Sequence, residues 1–312
     1  MRNLRHFPSG SLVEVTTRTV QGRLLLAPSP ALNQIILGVL GRAQRLYGVR
    51  VHAYSFASNH YHLLLSVDSA RQLADFMGHF NSKLGREIGR LTGWKDKIWS
   101  RRYQAILVST EEKVQAARLR YILAHGPKEG LVLRPQDWPG VHCAHPLLEG
   151  KSTVEGTWYD RRREYVLRRG GKDAKAEDYS SSESVVLTPI PCWRDLSPEQ
   201  YRRQIDSLVQ EIIHEAGQLA AQTGAEPLGA EAVCRQNREE RPKKTKKSPA
   251  PRFHVLSKQI RQAMYEAYAL FVAAFREAAD RLRGGDREAR FPAGCFPPRL
   301  PFVAEEGLPI AA

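Results

Sequence analysis

Between residues 11 and 109 the apolar spacing of this 312-residue chain alternates between a period of two and a period near 3.6. The order of that alternation restricts the fold more than any other feature. "SLVEVTTRTVQGRLLL" (11–26) alternates and is rich in β-branched residues, which predicts a strand or a bent strand. Ser29 then offers an N-cap and Pro30 a first helical position, and Leu32, Ile35, Ile36, Val39, Leu40 and Ala43 recur at helical spacing before Gly48. "VRVHAYSF" and "YHLLLSV" read as two strands joined through Ala57, Ser58 and Asn59. Leu73, Phe76, Met77, Phe80, Leu84 and Ile88 stripe a second helix from about Ser69 to Leu91, and "KIWSRRYQAILVS" reads as a fourth strand. A third helix is expected from an N-cap at Thr110 to His125. The order predicts an α+β fold of the ferredoxin-like β-α-β-β-α-β kind: an antiparallel sheet with helices on one face, and here an added helix.

That unit is expected to span 8–145. Residues 146–195 mix charge, Gly and Ser and read as an irregular connection, with "DYSSSES" as a loop. A mainly α-helical C-terminal extension is expected over 196–312. Its first helix opens on "SPEQ", a capping box with Pro at the first helical position. A basic linker (238–252), a long amphipathic helix and a Pro-rich tail follow.

The net charge of +14 predicts a polyanionic partner, with nucleic acid foremost. Four cysteines without a CxxC pair give neither a zinc spacing nor a dense disulfide framework, so a reducing cytoplasm is expected. No apolar run is long enough for a membrane span, and "MRNLRHFPSG" lacks the apolar core of an export signal.

The chemistry is carried by "FASNHYHLLLSV". Residues two apart in a strand share a side, so His60 and His62 project together while Tyr61 points away. Two neighbouring imidazoles suit a shared metal ion, and equally they suit two half-exposed sheet histidines. In "RLRYILAHGPKEGL", Tyr121 and His125 lie four apart on one helix face, opposite Leu119, Ile122 and Leu123.

"SNHYHLLL", "IWSRRYQ", "YILAHGPKEGLV" and "DWPGVH" in this order resemble the single-tyrosine transposases of the HUH endonuclease class. The likeness is to the REP-associated tyrosine transposases in particular, and it extends over about 8–145. The resemblance implies His60 and His62 as metal ligands and Tyr121 as the nucleophile. His125 falls in the slot of a polar third ligand. It implies a divalent cation, Mg2+ or Mn2+, and nicking and strand transfer of single-stranded DNA through a 5′-phosphotyrosine. Single-stranded or hairpin DNA would be the partner, the protein working as a homodimer or a monomer in the cytoplasm, at the nucleoid. Two departures stand out: Ser58 replaces the usual Pro before Asn-His, and "HGPKEG" replaces "NPVRAG".

Lys95, Lys97, Arg101 and Arg102, interleaved with Trp99 and Tyr103, suit phosphate contact with base stacking, or else a solvated strand edge over core aromatics. Arg118 and Arg120 flank Tyr121 and could steady a phosphate. The competing functions are a non-catalytic or domesticated hairpin-binding protein and a metal-dependent hydrolase. The hydrolase lacks an HExxH helix.

Overall fold

The computed structural model describes residues 4–242 and 250–295. Most of the basic linker (243–249) and of the Pro-rich tail (296–312) therefore lies outside the described residues. The first elements are β1 (Ser11–Arg18), α1 (Pro30–Tyr47), β2 (Arg50–Ala57), β3 (His60–Val67), α2 (Ala70–Thr92), β4 (Gln104–Val108) and α3 (Glu112–Leu123). Then come α4 (Ala144–Leu148), β5 (Thr153–Tyr159), α5 (Arg161–Arg169), α6 (Ala176–Tyr179) and β6 (Ser180–Val186). The extension adds α7 (Pro198–Thr223), α8 (Ala230–Cys234), β7 (Phe253–His254) and α9 (Lys258–Arg283).

The expected β-α-β-β-α-β order is present. The main sheet runs β2-β3-β1-β4-β7, with the first four strands antiparallel. Its core includes Val13, Val15, Tyr61, Leu63, Leu65, Phe76, Phe80 and Leu84, all fully buried. Both long N-terminal helices start where the sequence says they should: Ser29 and Ser69 accept the N–H groups of Leu32 and Gln72. Each stops on a left-handed glycine, Gly48 and Gly93.

Four expectations need correction. β1 ends at Arg18, and the chain bends through a short 3-10 turn instead of continuing as a strand to Leu26. β4 begins only at Gln104; the preceding "IWSRRY" touches the sheet through a single bridge, Thr19 to Trp99. The third helix is capped at Glu111, not Thr110, and without a side-chain capping bond, since the Glu111 carboxylate accepts the N–H groups of Leu256 and Ser257 instead. The stretch read as irregular (146–195) holds the antiparallel pair β5–β6, and "DYSSSES" runs into β6. This hairpin lies on α1 at backbone distance. A Cβ on Gly38 would stand 2.1 Å from the Thr157 carbonyl carbon, so α1 can carry only glycine there.

In the extension, the "SPEQ" capping box forms as expected at the start of α7. β7 is new: two residues, Phe253 and His254, pair in parallel with Leu107 and Val108 on the open edge of β4.

Candidate metal centre and tyrosine

β3 pairs with β1 so that His62 faces Thr16 and His60 faces Arg18. α3 lies across the β2–β3 side of the sheet, anchored by Leu119, Ile122 and Leu123, which are fully buried. That docking turns the last turn of α3 toward the two strand histidines. One ligand nitrogen from each of His60, His62 and His125 lies within 4.8 Å of the others. The ring of Tyr121 sits 5.4 Å from that of His62 and 5.0 Å from that of His125.

Each imidazole is held by its Nδ1. His60 donates to Asn59 Oδ1 (2.7 Å), His62 to Glu14 Oε1 (3.0 Å) and His125 to the Tyr121 carbonyl (2.9 Å). The proton is thus fixed on the anchored nitrogen, and the Nε2 lone pair of each ring is left to bind a cation. Burial pushes the His60 and His125 pKa values well below the ordinary range, and the neighbouring His62 adds to it. Both rings are therefore neutral at physiological pH, as ligation requires. Three imidazoles with converging nitrogens fit a divalent cation of the Mn2+ type better than a bare Mg2+ site built of oxygens.

Glu14, not anticipated from the sequence, is the hub behind this set. It is buried on β1. Its Oε1 takes His62; its Oε2 lies 2.8 Å from Arg118 Nε and 2.9 Å from His254 Nε2. Burial pushes the carboxyl pKa up, but contacts with His254 and His62 and the Arg118 charge outweigh it and hold Glu14 well below the usual carboxylate range. Lys128 was also missed. Gly126 turns the chain after His125 at φ 98°, and Lys128 then stands with Nζ 3.7 Å over the Tyr121 ring and 3.3 Å from His125 Nε2.

The other expected site residues divide. Arg118 lies over the Tyr121 ring at 4.2 Å, with its charge already answered by Glu14. Arg120 points away and pairs with Glu211 and Glu215 on α7. Trp99 packs edge-on against Tyr61 and donates to the Asn81 carbonyl, which makes it a core contact. Lys95 and Lys97 are exposed beside Trp94, while Arg101 and Arg102 flank the buried Tyr103 at the start of β4.

Residues 29–125 match the family described as IS200-like transposases; the matched span includes His60, His62 and Tyr121 and ends on His125. None of the curated proteins matches. Among solved structures, a REP-associated tyrosine transposase bound to a REP hairpin is 16% identical, with a TM-score of 0.38, over 48% of this chain and 85% of that one. A candidate transposase from Deinococcus radiodurans R1 is 18% identical, with a TM-score of 0.28, over 39% of this chain and 95% of that one. The segment that carries the site is similar to the IS200-like transposases, in keeping with the resemblance of its motifs. No helix among the described residues is long and apolar enough to cross a membrane.

Proposed function

We propose that this protein is a metal-dependent transposase that nicks single-stranded DNA and transfers the strand through a 5′-phosphotyrosine on Tyr121. The observation that carries this reading is the convergence of three imidazoles, anchored at Nδ1 and within 4.8 Å of one another, beside the Tyr121 ring. His60, His62 and His125 would hold a divalent cation, Mn2+ or Mg2+, which supplies Lewis-acid polarisation of the scissile phosphate.

The chain's own groups do the rest. The Tyr121 oxygen attacks phosphorus, forming the P–O(Tyr) bond as the P–O3′ bond breaks. The phenol gives up its proton and the departing 3′-oxygen takes one up. The phosphotyrosine conserves the bond, so the reverse attack by a 3′-hydroxyl rejoins a strand with no external energy source. A free phenol titrates near pH 10. Arg118 and Lys128, both within about 4 Å of the Tyr121 ring, place positive charge where the incoming phosphate would sit. Tyr121 meets histidines of its own chain. The polyanion expected from the +14 charge is then DNA in single-stranded or hairpin form, met in the cytoplasm at the nucleoid.

The test is a denaturing gel of 5′- and 3′-labelled hairpin-flanked single strands incubated with Mn2+. The wild-type protein leaves a slow-migrating adduct on the 5′-phosphate side, and Tyr121→Phe leaves none. An adduct with Tyr121→Phe would remove Tyr121 as the nucleophile, and binding without any cleavage would return the protein to the alternative of a hairpin-binding module.

A further inference from the structure

A groove of about 720 Å3 opens at the β4 edge of the sheet, outside the metal centre. One wall comes from the N-terminal segment and the residues entering β4; the other comes from the C-terminal extension. Arg5, Arg101, Arg102 and Arg252 line it, and none of its lining residues is an aspartate or glutamate. This sets it apart from the basic pocket between α2 and β5. There Arg86, Arg90 and Arg161 are accompanied by Glu87 and Asp160, and Glu87 is ion-paired with Arg90 and Arg161. In the β4 groove two of the guanidinium groups lie over aromatic faces. Arg5 lies 4.0 Å over Tyr103 and Arg252 4.1 Å over Tyr268, while Phe253 sits edge-on to the half-exposed Tyr265 at 5.1 Å.

Cations interleaved with aromatic rings suit a strand whose phosphates need charge and whose unpaired bases need a flat partner. A duplex hides those base faces. The groove lies mainly on the other face of the sheet, because Tyr103, Ala105 and Leu107 alternate with Gln104, and it reaches the face of the proposed chemistry at Gln104. Its lining residue Gln104 is the register partner of Thr16, whose hydroxyl lies 3.5 Å from His62 Nε2. Paired residues share a face of the sheet. Two strand spacings, about 10 Å, separate β4 from β3.

We infer that this groove binds single-stranded DNA leading to or from the scissile phosphate, and that the C-terminal extension, through Arg252, Phe253 and Tyr265, supplies one wall of the track. The inference rests on the function proposed above for the meaning of the track, though not for its existence.

The experiment uses the full chain and a fluorescein-labelled 20-nucleotide oligothymidylate, which forms no hairpin, read by anisotropy across a salt series. The variant pair Arg252→Ala/Tyr265→Ala should weaken binding at least tenfold and flatten the salt dependence. Tyr265→Phe, which keeps the ring, should bind as wild type does. An oligonucleotide carrying 5-iododeoxyuridine should photocross-link to peptides containing Phe253 or Tyr265. Unchanged affinity in the double variant with its melting temperature preserved overturns the inference. So do cross-links confined elsewhere, or a tenfold preference for oligouridylate RNA. The two proposals fail separately: groove-dependent binding without an adduct sinks the nicking chemistry alone, and an adduct with groove-independent binding sinks the groove alone.

Discussion

Two sets of histidines lie on β3 and beside it, and they differ in what is done with their second nitrogen. His52 on β2 donates from Nδ1 to the Thr188 carbonyl and accepts at Nε2 from the Ser66 hydroxyl, 2.7 Å away. His142 accepts the Ala144 N–H at Nδ1 and donates from Nε2 to the Ile122 carbonyl. Both rings are saturated by fixed protein groups and have nothing left for a ligand. His60, His62 and His125 are each anchored at Nδ1, one nitrogen of each lies within 4.8 Å of the others, and the Nε2 atoms of His62 and His125 meet the movable ends of Thr16 (3.5 Å) and Lys128 (3.3 Å) and no backbone group. Burial alone would have put four of the five, all but the half-buried His60, in one class. A ligand site is marked by convergent, unspent lone pairs on otherwise anchored rings.

The sharpest way to break that contrast is to exchange the consequences. His62→Ala should abolish the metal-dependent adduct, by roughly a thousandfold or more in rate, with Mn2+ binding lost in calorimetry; retained Mn2+ affinity would remove the imidazoles from the site. Glu14→Gln keeps the volume but weakens the hold on His62 Nδ1–H, and should lower Mn2+ affinity by about 10- to 100-fold. His52→Leu, by contrast, should leave Mn2+ binding alone and cost about 1–3 kcal/mol in urea unfolding, because the Ser66 hydroxyl and the Thr188 carbonyl lose a partner.

The same saturated pair predicts a pH dependence. Burial lowers the pKa of His52 and of His142 to about 4. The unfolded chain therefore binds more protons than the folded one between about pH 6.5 and pH 4. Stability is full above that window and falls as pH drops through it, by up to about 3 kcal/mol per ring. His52→Leu should flatten the slope; an unchanged slope would place the proton uptake elsewhere. The smallest effect is expected at Lys128. Removing an ammonium 3.3 Å from His125 Nε2 in Lys128→Met should tighten Mn2+ binding a few-fold and slow adduct formation. A change of the same sign in both would argue against the placement of Lys128 over Tyr121.

Much of this was readable in the chain. The alternation of periods gave the order of elements, and His60, His62, Tyr121 and His125 follow from strand and helix spacing together with the resemblance. Glu14 was not readable: in "SLVEVTTR" it looks like an ordinary polar-face residue, and only the pairing of β1 with β3 and β4 buries it. His254 sits on a strand of two residues, too short to carry any period. Arg120 looked like a phosphate contact because the sequence could not show that α7 brings Glu211 and Glu215 to it. The β5–β6 pair was missed because "SSSES" looks like a loop in the sequence, whereas in the fold its small residues fit close approach to the glycines of α1.

β7 sets an order of assembly during synthesis. Until Phe253 and His254 emerge, β4 ends the sheet with an open row of backbone donors and acceptors, and Glu14 faces Arg118 and His62 alone. A pairing between segments so far apart in the chain closes late, since loop-closure entropy must be met before the contact contributes. Through that interval the nascent chain carries a strand edge available to other chains. The last strand to arrive is then both the cover of that edge and the final neighbour of the carboxylate behind the metal centre.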